Sequence, residues 1–103
     1  MIFRRRFADL ISRQLDVFAE DEADLIRACR DAERKYDKAP RDEAESTYGD
    51  YVDFVETATE ALADMRDRFK QTLDEDAGEE YEEAFNRAVK KRWPPFGLEI
   101  DNR

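Results

Sequence analysis

At 103 residues the chain is long enough for one hydrophobic core but not for two. Its 27 acidic and 18 basic residues give a formal net charge of −9, which argues against a general nucleic-acid binder, because neutralising phosphates takes a concentrated basic face. One Cys and no His exclude an intramolecular disulfide, a zinc motif and the usual general base near neutral pH, and a 41% apolar content argues against disorder even with 44% of residues charged.

The pattern predicts an all-α protein. A first helix is expected from Ile2 to Asp37, carrying the stripe Phe7, Ile11, Leu15, Phe18, Leu25, Cys29, Ala32 and Tyr36. Asp9, Ser12, Arg13 and Gln14 interrupt the apolar run that a signal peptide would need after the arginines. Pro40 suits the first turn of a second helix, where its missing N–H costs nothing. That helix is expected to reach Leu73, with the a/d seam Tyr48, Tyr51, Val55, Ala58, Leu62, Met65, Phe69 and Leu73. Only Asp37, Lys38 and Ala39 separate the two, so they should fold back as a long antiparallel hairpin with arms of roughly 50 Å.

A third apolar set, Tyr81, Ala84, Phe85, Ala88 and Val89, is out of phase with the seam, so a turn must intervene near residues 74–78. Asp76 as N-cap with Glu79 three residues on predicts a third helix over residues 77–92, ending before Pro94 because a pre-proline residue avoids the α region. Residues 1–92 then make one helical domain. Residues 93–103 are expected as an extended tail, with Phe96, Leu98 and Ile100 on one side.

Beside the main stripe of the first helix lie Phe3, Leu10, Val17 and Ala28, more apolar surface than one partner helix covers. The surplus predicts a homodimer, a helical bundle with a four-helix core made of two hairpins. Trp93, Phe96, Leu98 and Ile100 are costly to expose, so the tail either packs on the helices or docks onto an unidentified protein partner.

Arg4, Arg5 and Arg6 can pair with the carboxylates of residues 74–83, or they can sit with Ile2, Phe3 and Phe7 on an anionic membrane surface. Pairing within the chain is the favoured reading. Glu22 interrupts the first stripe and is a candidate buried carboxylate, able to lean to solvent or to join a carboxylate site for a metal or small ligand. Cys29 reads as a core thiol, and no phosphate loop or nucleophile–base pair is visible. The expectation is a cytoplasmic, non-enzymatic interaction module with no cofactor, catalytic residue or metal ligand.

Overall fold

The computed structural model describes residues 6–103, and they are all-α, with no strand among the described residues. Five helices follow in order: α1 (Ala8–Asp21), α2 (Ala23–Lys38), α3 (Ala44–Lys70), α4 (Glu75–Arg92) and α5 (Pro94–Ile100).

The first expected helix is divided at Glu22, whose backbone (φ −109°, ψ 29°) leaves the α region. Hydrogen bonds continue on both sides, from Glu22 N–H to Phe18 O and from Ile26 N–H to Glu22 O, so the break is a single-residue kink. It arises because the two halves pack on different partners, α2 on α3 and α1 on α4. Phe7 meets Tyr81 edge-on at 5.4 Å between ring centroids, and Phe18 meets Trp93 at 5.6 Å. Early residues of α1 thus meet early residues of α4, and the two helices run in the same direction.

α2 and α3 lie side by side across the connection 39–43. The packed core ends near Cys29 and Val55. Beyond it the two helices continue as an arm where the Tyr36 and Tyr48 rings meet at 5.1 Å, tilted by 53°, yet stay exposed.

α4 starts two residues earlier than the sequence suggested. The N-cap is Asp74, whose Oδ1 accepts the Ala77 N–H at 2.8 Å; Asp76 lies in the first turn. Its end at Arg92 is where the proline rule puts it, with Trp93 (φ −134°, ψ 81°) outside the α region.

The expected extended tail is instead a helix. Pro94 and Pro95 occupy the opening turn of α5, where proline is favoured, so the same residues that stop α4 start its successor. Phe96 and Ile100, one turn apart, are buried, whereas Leu98 points away and is 80% exposed. The grouping of Phe96, Leu98 and Ile100 on one side holds for a strand and fails for a helix. A seven-residue helix does not persist alone in water, so α5 depends on this burial, about 4 kcal/mol for the two side chains. Gly97 lets it approach closely: a Cβ there would lie 2.7 Å from Lys90 Cα.

α3 packs through more than its seam. Ala58 and Leu62 enter the common core, and a second buried row, Thr59, Ala63 and Arg66, contributes to the side where α4 and α5 pack.

Candidate interaction surface

The most deeply placed charge is Arg66, 1% exposed in α3. Its Nη1 donates to Asn86 Oδ1 at 2.9 Å and to Ile100 O at 3.1 Å, its Nη2 to Arg103 O at 2.7 Å, and its Nε to Asp67 Oδ1 at 2.9 Å. One guanidinium therefore satisfies Ile100 O, the last carbonyl of α5, together with Arg103 O just beyond that helix. Asn86 passes the network on to Asp101, which also accepts from Lys90. The Lys90 bond is the main reason the Asp101 carboxyl is held below its ordinary range. Every arm of the cluster ends on protein, so its role is to latch α5 against α3 and α4.

Two other buried groups are titratable. Burial pushes the Cys29 thiol up to about 11, so at neutral pH it is a protonated core side chain and a poor nucleophile. Burial likewise pushes the Tyr81 phenol up to about 12, while its hydroxyl donates to Gln14 Oε1 at 2.8 Å. Among the described residues, no group of three or more His, Cys, Asp or Glu is arranged to hold a metal ion. No described helix is long and apolar enough to cross a membrane.

The sequence-derived candidates scatter. Phe3, Arg4 and Arg5 lie outside the described residues. Arg6 pairs with Glu80 at 3.3 Å and its neighbour Phe7 is in the core, so the described part of the N-terminal segment turns inward. Leu10 is half-buried against the core and Val17 is 49% exposed. Of the surplus beside that stripe, then, Leu10 packs against the core, Ala28 is half-buried and Val17 stays at the surface. Trp93, Phe96 and Ile100 are core residues, leaving Leu98 alone of the tail set at the surface. Glu22 is half-buried at the kink, which takes a carboxylate out of the apolar stripe at little cost in helix.

What the structure assembles, and the seam-by-seam reading missed, is an open groove of about 550 Å³ between α1 and α4. Ala8, Ile11, Leu15, Ala84 and Ala88 make it apolar, with Ser12 on the α1 side and Arg87, Lys91 and Arg92 on the α4 side. Small side chains at Ala8, Ser12, Ala84 and Ala88 keep it shallow and accessible. Arg92 braces its end, pairing with Asp16 of α1 at 2.7 Å and lying 4.8 Å above the Trp93 ring. Trp93 and Arg92 also line a second groove with Arg27, Arg30 and Arg34 of α2. Three of the four arginines are paired, Arg27 with Asp24, Arg34 with Asp31 and Arg92 with Asp16. The apolar groove has the shape and chemistry to receive a helix, with an apolar floor, a charged edge and no reactive group.

No family model, curated protein or solved structure matches this chain.

Proposed function

We propose that this chain is a non-enzymatic helical interaction module that self-associates as a dimer in a reducing, cytoplasmic setting. The observation that carries the reading is the α1–α4 groove, an apolar floor at the surface flanked by Arg87 and Lys91. Supporting it, the buried ionisable groups are either tied to protein partners, as Arg66 is, or held in their neutral form, as Cys29 and Tyr81 are. Both conditions suit packing rather than turnover. The interface sought in the wide stripe of the first helix, with two hairpins forming a four-helix core, moves in this reading to the outer face of α1 and α4.

The test is the molar mass in solution, by light scattering across a hundredfold range of concentration. A dimer that dissociates on dilution is the expected result. A monomer at every concentration overturns self-association, and the groove would then have to be probed for a different partner.

A further inference from the structure

The outer face of α4 carries a ridge of four exposed residues spaced one turn apart: Glu79, Glu83, Arg87 and Lys91. Two carboxylates are followed by two cations, and none of the four makes an ion pair with another described residue. The helix macrodipole explains acidic residues in a first turn and basic ones in a last turn, but it fades within those turns. Glu83 and Arg87 sit in the middle of an 18-residue helix, where the dipole no longer selects a sign. The order of charges along the ridge has another consequence. Reversed end for end and laid against itself, the ridge sets every carboxylate opposite a cation.

Resting on the self-association proposed above, we infer that the partner of this face is the same face of a second copy. The two α4 helices cross antiparallel about a two-fold axis at the level of Phe85. Glu79 then opposes Lys91 of the second copy and Glu83 opposes its Arg87, each contact occurring twice by symmetry. A parallel arrangement would set like charges together, so the pattern selects direction as well as partner. The small residues Ala84 and Ala88 stand beside the ridge, on the border of the α1–α4 groove, and allow the helices to approach to the usual 8–10 Å. The apolar floor supplies affinity, and the four cross-pairs supply register.

Two charge-reversal variants test this, Arg87→Glu with Lys91→Glu, and Glu79→Lys with Glu83→Lys, measured by analytical ultracentrifugation alone and as an equimolar mixture. All four positions are exposed, and circular dichroism reports whether each variant keeps its helices. Alone, each variant places like charges opposite one another, and its dimerisation should weaken roughly a hundredfold. Mixed, the uniformly acidic and uniformly basic ridges complement each other and a heterodimer should return. If both variants dimerise as the wild type does, the contact lies elsewhere and this inference is overturned while self-association stands. A mixture that stays monomeric also overturns it. A wild-type monomer removes both proposals.

Discussion

Replacing Arg66 with Met should cost about 2 kcal/mol of stability, although Met matches much of the volume of the arginine stem. Arg66 donates to four acceptors, and they are not equivalent. Asp67 is half-exposed and Arg103 O is only partly buried, so water can replace the guanidinium at both. Asn86 Oδ1 is buried and would be stranded, at about 1–3 kcal/mol, whereas Ile100 O would keep only the long bond from Arg103 N–H at 3.3 Å. Against that stands the relief from no longer dehydrating a cation, which recovers part of the loss. The damage should begin at α5, because Ile100 O and the following Arg103 O lose the guanidinium that ties them to α3. Urea unfolding at 222 nm gives the global stability, and Trp93 fluorescence reports the α4–α5 junction. A lower midpoint is expected, with Trp93 becoming exposed before the rest of the molecule unfolds. Arg66→Lys keeps the charge but loses the planar fork, and should lie between wild type and Met. A Met variant within 0.5 kcal/mol of wild type would refute the reasoning, because the buried cation would then be a net burden rather than a latch.

Other predictions follow from single positions. Gly49→Ala should stabilise the protein by about 1 kcal/mol, since Gly49 lies inside α3 at negative φ with open space around it; the urea midpoint measures this. Gly97→Ala should destabilise by about 2–3 kcal/mol, because the new methyl meets the Lys90 backbone at 2.7 Å and must push α5 off α4; a thermal melt showing no loss would contradict that packing. Stability should fall between pH 10 and about 12, because the unfolded chain releases the Tyr81 proton at the ordinary value of 10.0 and the folded chain only near 12. The elevated pKa favours the folded state only below that window, so the difference between wild type and Tyr81→Phe should narrow as the pH is raised through it. Cys29 should react with a thiol reagent at pH 8 about a hundredfold more slowly in the folded protein than in denaturant, from its raised pKa alone; equal rates would place the thiol at the surface.

Local and periodic information carried the helical class. The seam residues Ala58 and Leu62 are buried, as are Phe7, Ile11, Leu15 and Phe18, because an apolar stripe at helical spacing must be covered by something. The end of α4 at Arg92 was equally legible, since Pro94 restricts the residue before it whatever the rest of the chain does. Arg6 likewise meets Glu80 within the carboxylate segment its charge called for.

What covers each stripe was not legible, because periodicity specifies a face and not its partner. α1 packs on α4, parallel to it, and the break between α1 and α2 falls at Glu22, the residue that interrupts the apolar stripe. α5 was misread because two prolines suit both an extended segment and the first turn of a helix. The choice fell to tertiary structure, through the burial of Phe96 and Ile100 and the close approach at Gly97. Arg66 escaped notice for a related reason. An arginine flanked by Met65 and Asp67 reads as a solvated position until α4 and α5 arrive to bury it, and the carbonyls that hold it come from the last residue of a helix, and the segment just after it, whose existence the sequence alone did not decide.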